Sequence, residues 1–280
     1  MHRLLKKHFP VFVLPTFVCY FLIFVIPFLL GIGLSFTKFT TVENAKFVGL
    51  DNYQRIFTEG DGFVRSVGFG LAYSLVCVLI VNICALLLSV ALVRPIRGVT
   101  VFRSIFFLPN LIGGIVLGYV WNLLINGILA QRGVDITYRA SYGFWGLVAL
   151  SSWQLIGYMT VIYIAALVSV PKEVLEAASM DGAGGIATFF KIKVPMILPS
   201  IGICTFLTLT NAFKTFDQNL ALTAGAPEGE TALPALDIFK TFYGRVGSQG
   251  VGQAKAVIFF LIVALLALVQ QRLVRGRDHR

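Results

Sequence analysis

Gln154 and Tyr158 stand four residues apart inside one long apolar stretch. Asn211 and Thr215 repeat that spacing in another, with Thr208 three residues before Asn211. Residues three or four apart share one face of a helix, so each set forms a polar stripe. Amides and hydroxyls in an apolar helix are costly unless hydrogen-bonded, so such stripes turn toward the protein interior or a water-filled cavity. Neutral donors and acceptors beside the rings of Trp153 and Tyr158 suit the hydroxyls and C–H faces of a carbohydrate. The same groups could instead bond between helices or to ordered water. Asn122 and Asn126 end a further apolar stretch, and Lys214 and Asp217 offer an ion pair beside Thr215.

Bond-breaking chemistry finds no such support. The apolar stretches hold no paired carboxylates, no G-x-S-x-G and no arginine cluster of the kind a phosphorylated solute would favour. His2, His8 and His279 lie near the ends of the chain, which leaves no metal cluster for the core. No G-x-x-x-x-G-K-[ST] phosphate loop occurs, so any ATP has to be bound by another subunit. Cys19, Cys77, Cys84 and Cys204 all fall in apolar stretches and read as packing thiols rather than a disulfide framework.

The elements that must position these residues are membrane spans. The chain is 57% hydrophobic and 13% charged, where a soluble domain carries about one quarter charged residues. Six stretches approach or exceed the roughly 20 apolar residues a helix needs to cross a bilayer: 9–36, 66–93, 104–126, 144–170, 195–216 and 256–271. The expected fold is all-α, a single polytopic membrane domain over residues 1–280. The first stretch follows Arg3, Lys6 and Lys7 but is too long for a signal peptide and lacks a small-residue cleavage site. Pro10, Pro15 and Pro27 mark its kinks or ends.

A net charge of +10 suggests a nucleic-acid partner, and its distribution argues against one. With a cytoplasmic N-terminus, the inner segments carry 13 Lys/Arg against Glu173, Glu176, Asp181 and Asp278, and the outer segments carry 9 basic and 9 acidic residues. That is the positive-inside pattern, with both termini cytoplasmic.

Between the fourth and fifth spans, residues 171–194 form an inner segment that includes EAASMDGAGG. Ser169 can cap a helix, Pro171 suits its first turn and Gly182 can end it with a positive φ. Val174, Leu175 and Ala178 form its apolar stripe, and a second short helix over 186–193 completes an elbow whose surface has little side-chain bulk. Glu176-Ala177-Ala178, Asp181-Gly182-Ala183, Ile192, Val194-Pro195 and Leu198-Pro199 closely resemble the coupling loop of binding-protein-dependent ABC importer permeases. That signature is E-A-A, three residues, G, nine residues, I-x-L-P; Val194 stands where leucine is usual. Residues 47–57, 102–126 and 215–231 also look like stretches of its carbohydrate branch.

The resemblance implies a permease in a bacterial or archaeal cell membrane, itself not an enzyme, paired with a second related permease. It implies two ATPase subunits that bind the ATP and Mg, and an extracellular solute-binding lipoprotein or periplasmic protein. It assigns ATPase coupling to Glu176, Ala177, Ala178, Asp181, Gly182, Ala183 and Pro195, with Glu176 pairing a basic group on the ATPase. Extended without gaps to a maltose-type permease, it assigns solute contacts to Gln154, Tyr158, Thr208, Asn211 and Thr215. Several of those residue types differ from the maltose protein. The implied cargo is a carbohydrate, an oligosaccharide first of all, with a polyol or glycerol-phosphate ester as the alternative. An ion-driven secondary transporter would show inverted repeats and intramembrane acids, and neither is visible.

Overall fold

In the computed structural model the described residues are 13–58, 62–94 and 98–275. Helix α1 is Val13–Leu34. A two-stranded antiparallel hairpin follows, β1 (Thr37–Lys38) against β2 (Lys46–Phe47). Then come α2 (Asp51–Thr58), α3 (Phe63–Leu92), α4 (Val99–Phe107), α5 (Gly114–Leu129) and α6 (Ala140–Val168). The chain continues through α7 (Lys172–Met180) and α8 (Gly185–Met196) to α9 (Leu198–Phe213), α10 (Asp217–Leu222), α11 (Pro234–Gly244) and α12 (Gln249–Arg275).

Among the described residues, five helices are long and apolar enough to cross a membrane. These are α1, α3, α5 with its 3₁₀ extension to Arg132, α6 and α12; the α8–α9 pair makes a sixth if counted as one bent span. Their outward side chains are apolar, as with Leu22 at 58% and Ile23 at 76% exposure on α1, so lipid is the solvent that satisfies them. Residues 9–12 of the first expected span lie outside the described residues. Pro27 cannot donate to the preceding turn, and α1 widens to π-helix over Phe21–Val25 just before it.

Two expected spans differ from single straight helices. The stretch 104–126 is not continuous. Pro109 lacks an N–H and its ring crowds the preceding turn, so the chain passes through a 3₁₀ turn (Leu108–Leu111) and an extended Ile112 before α5 starts at Gly114. The crossing helix is therefore α5, and α4 is a separate short apolar helix. The stretch 195–216 bends by 71° at Ile197, between Pro195 and Pro199, and ends at Phe213. The sixth span starts earlier than residue 256, at Gln249. Lys255, one residue before the expected start of that span, is fully buried in α12, where its Nζ donates to Thr241 Oγ1 at 2.7 Å and lies 5.6 Å from the Phe63 ring.

The chain forms two compact units. One comprises its described residues up to Phe63 together with Ile238–Leu261. There Asn52 Nδ2 donates to the carbonyls of Ser35 (2.8 Å) and Thr37 (2.9 Å), and the Phe28 and Phe260 rings meet edge-on at 4.7 Å. The other unit, the described residues of 64–237 and 262–275, holds the expected polar residues. Its core is one cluster around Tyr73, Leu147, Leu150 and Leu222 and a second around Val81, Met159, Tyr163 and Cys204. Asn122 and Asn126 are structural ties: Asn122 Nδ2 donates to Leu222 O (2.7 Å), and Asn126 Oδ1 accepts from the Ile136 N–H (2.8 Å). Next to buried Ile136, the Thr137 hydroxyl and N–H donate to Asp135 and hold its carboxyl below the usual range.

Candidate functional site

The elbow is built from α7, α8 and the turn between them. Helix α7 ends in a Schellman motif: Gly182 N–H donates to Ser179 O (3.1 Å) and Ala183 N–H to Ala178 O (2.9 Å), with Gly182 at φ +76°. Ser169 is not the cap of α7. It closes α6, its hydroxyl donating back to Ala166 O at 2.7 Å, and the N-cap is Pro171, because a proline's missing N–H and extended ψ suit a helix entrance. The apolar stripe is narrower than expected. Ala178 is buried and Leu175 packs on the Val81–Met159 cluster, while Val174 is 37% exposed. Glu176, Ala177, Asp181, Gly182 and Pro195 are exposed and Ala183 half-exposed. Met180 (88%) and Ile186 (79%) stand out from the same surface.

The second feature is a polar cavity of about 330 Å³ within the larger unit. Asn110 of the 3₁₀ turn, Ser151 and Gln154 of α6, and Asn211 of α9 contribute to its lining. So do Lys214 and Thr215 from the break after α9, and Asp217 and Gln218 from α10. The break creates the site. Where α9 stops, Thr215 Oγ1 donates to Asn211 O (3.1 Å), and the chain leaves the helix before α10 starts at Asp217. Helix α10 is fixed from behind by Asn219, whose amide bonds Thr231 O and the Leu233 N–H. From α3, the buried Tyr73 hydroxyl donates to Ser151 Oγ at 2.6 Å. Gln218 Nε2 donates to Gln154 Oε1 (2.8 Å), and Gln154 Nε2 to the Ile112 carbonyl (3.2 Å).

Residues 9–279 match the family of binding-protein-dependent transport system inner membrane components. The chain belongs to this family. It is 38% identical over 276 residues, covering 95% of this chain and 94% of the relative, to the probable starch degradation products transport system permease protein AmyD of Thermoanaerobacterium thermosulfurigenes. It is 28% identical to the multiple sugar-binding transport system permease protein MsmF of Streptococcus mutans, covering 89% of each chain. The fold resembles that of a bacterial ABC transporter involved in the import of the acidic polysaccharide alginate, with a TM-score of 0.80, 18% identity and 98% of each chain covered.

As a transport-system membrane component, the chain is a permease subunit and not an enzyme. Within it, the five residues expected to share one solute site divide. Gln154, Asn211 and Thr215 line the cavity; Thr208 and Tyr158 do not. Thr208 is fully buried toward α3, where its hydroxyl donates to Cys204 O (2.8 Å) and Asn82 Nδ2 reaches it at 3.4 Å. Asn82 also accepts from the Tyr163 hydroxyl (2.7 Å), so Thr208 belongs to a polar tie between helices. Tyr158 lies half-buried with its ring 6.4 Å from that of Phe107, and Trp153 pairs with Trp121 at 5.8 Å. Lys214 and Asp217, read as a possible surface ion pair, both face the cavity. Asn110, Ser151 and Gln218 were missed. Asn110 follows a proline that breaks the span, and Gln218 lies past the apolar run, so a search confined to stripes within spans passes over both.

Proposed function

We propose that this permease subunit passes a carbohydrate, first of all an oligosaccharide, through the membrane, with the polar cavity forming part of its path. The observation that carries the reading is the cavity itself: amides, hydroxyls and one charge of each sign converge between otherwise apolar helices. Saccharide hydroxyls need donors and acceptors in that mixture, and buried polar groups left without a partner would otherwise be costly. Among the described lining residues Lys214 is accompanied by Asp217, so no net positive charge collects there to favour a phosphate ester. The sugar-transport names of AmyD and MsmF support the same class of cargo.

The exposed face of the elbow, Glu176, Ala177, Asp181, Gly182 and Pro195, is its docking surface for a separate ATPase, where ATP and Mg are bound. Ala183 borders that surface, and Ala178 anchors it from inside. Leu175 packs the elbow onto the α3–α6 core and Ala178 of the same helix is buried, so movement of a docked ATPase is transmitted as rigid-body motion. A second related permease, a second ATPase copy and an extracellular solute-binding protein complete the assembly. One membrane domain spans the chain, in the cell membrane with both termini cytoplasmic.

The test is reconstitution of the complete transporter in proteoliposomes with its binding protein, measuring uptake of neutral oligosaccharides and glycerol 3-phosphate alongside ATP hydrolysis. Sugar uptake coupled to hydrolysis is expected. Uptake confined to glycerol 3-phosphate, or uptake that persists without ATP, overturns the reading.

A further inference from the structure

A side-chain amide presents an oxygen and a nitrogen of nearly equal shape, so its orientation is decided by partners that can play only one part. The Ile112 carbonyl is such a partner. It can only accept, so Gln154 directs Nε2 to it and directs Oε1 at Gln218. Gln218 must then donate from its own Nε2. Turning Gln154 over would set its Oε1 against the Ile112 carbonyl, two acceptors facing each other beside a side chain that is 8% exposed. Ile112 offers that carbonyl because Pro109 has broken the helix and left Ile112 extended.

The Gln218 amide is also held sterically. Its Cδ and Nε2 lie 3.0 and 3.1 Å from where a Cβ on Gly114 would be, so the missing side chain at the start of α5 is the slot it occupies. One Nε2 hydrogen is committed to Gln154 and Nε2 itself is lodged against Gly114, so Oε1 is the acceptor Gln218 has for the cavity, close in sequence to the Asp217 carboxylate.

We propose that Gln218 is a solute-binding residue whose amide is held as a hydrogen-bond acceptor by Gln154 and the Ile112 carbonyl, and that it selects a hydroxyl and rejects a carboxylate at that corner of the cavity. The assignment rests on the cavity being a solute site. Gln154 is here a positioning residue: it acts on the cargo through Gln218.

The complete transporter in nanodiscs, without its binding protein, is titrated by NMR with maltotriose and with trigalacturonic acid as the carboxylate-bearing probe. Gln218→Leu should weaken maltotriose binding about ten-fold, the worth of one hydrogen bond to a partner left unpaired, with no gain for the acidic probe. Gln154→Leu frees the Gln218 amide to turn its NH₂ outward and should narrow the neutral-over-acidic preference several-fold. Asn211→Leu lines the same cavity and serves as the control for the site itself. If it weakens maltotriose while the preference is unmoved by Gln154→Leu and Gln218→Leu, the cavity reading stands and this assignment falls. If none of the three variants alters binding, or neither probe binds the unaltered protein, both fall together. Lower yield or thermal stability with the affinity ratio preserved identifies a packing role and overturns the assignment.

Discussion

Gly182 separates two reasons for a glycine. Its φ of +76° is a conformation that L side chains rarely adopt, yet a Cβ there would meet no atom of this chain within 4 Å. Gly182→Ala should therefore cost about 1–2 kcal/mol of local stability through conformation alone. Gly182→Asn should be milder, because asparagine enters the left-handed region more readily. Gly182→Trp should abolish ATPase co-purification and uptake while leaving membrane insertion intact. Equal co-purification of ATPase by the Asn and Trp variants would remove the docking role from this turn. In the cavity, Asn211→Leu and Tyr158→Phe should part company. The first should slow uptake by the worth of a neutral hydrogen bond, about 1 kcal/mol. The second should leave relative uptake of different oligosaccharides unchanged, since Tyr158 is away from the lining. Uptake normalised to assembled complex measures both.

At the scale of elements, close approach of backbones decides how α4, α6, α5 and α10 hold the site. Gly157 on α6 sits against the Phe106 carbonyl so closely that any Cβ would force α4 aside. Gly118 of α5 takes Ala221 of α10 in the same manner, which brings Gln218 over Gly114. Gly157→Ala is expected to destabilise the larger unit by about 1–3 kcal/mol through overpacking. Gly68→Ala is the comparison. It lies in helix α3 with open space at its Cβ, so alanine should leave stability unchanged or raise it. The measurement is the thermal midpoint of the detergent-solubilised protein. Equal midpoints for the two variants would show that the α4–α6 crossing is loose.

For the whole molecule, the charge asymmetry makes a prediction that packing does not. Single cysteines in a cysteine-free background should react with an impermeant reagent from the cytoplasm at Glu173, and from outside at Glu43 and Glu230. All three are exposed in the structure. Labelling of Glu173 from outside would invert the topology and end the docking role of the elbow.

The apolar stretches were legible in the sequence because the requirement they meet is local: a bilayer of fixed thickness sets the length of every crossing helix. The Gly182 turn was legible for a similar reason, since a Schellman end depends on a few consecutive residues. The positions of Pro109, Pro195 and Pro199 were also plain, but how a span continues past a proline depends on what takes up the released carbonyls. At Ile112 that partner is Gln154, 42 residues away. Nor could spacing alone divide the stripe on α9. Thr208 and Asn211 are one turn apart, yet Thr208 is claimed by Asn82 of α3 while Asn211 opens on the cavity. Period fixes which residues share a face, and only the neighbouring helices decide what that face meets. Gln218 shows this most clearly, because its orientation is imposed by an amide on α6 and a carbonyl before α5 and its position by the bare backbone of Gly114, all brought together by the tertiary fold.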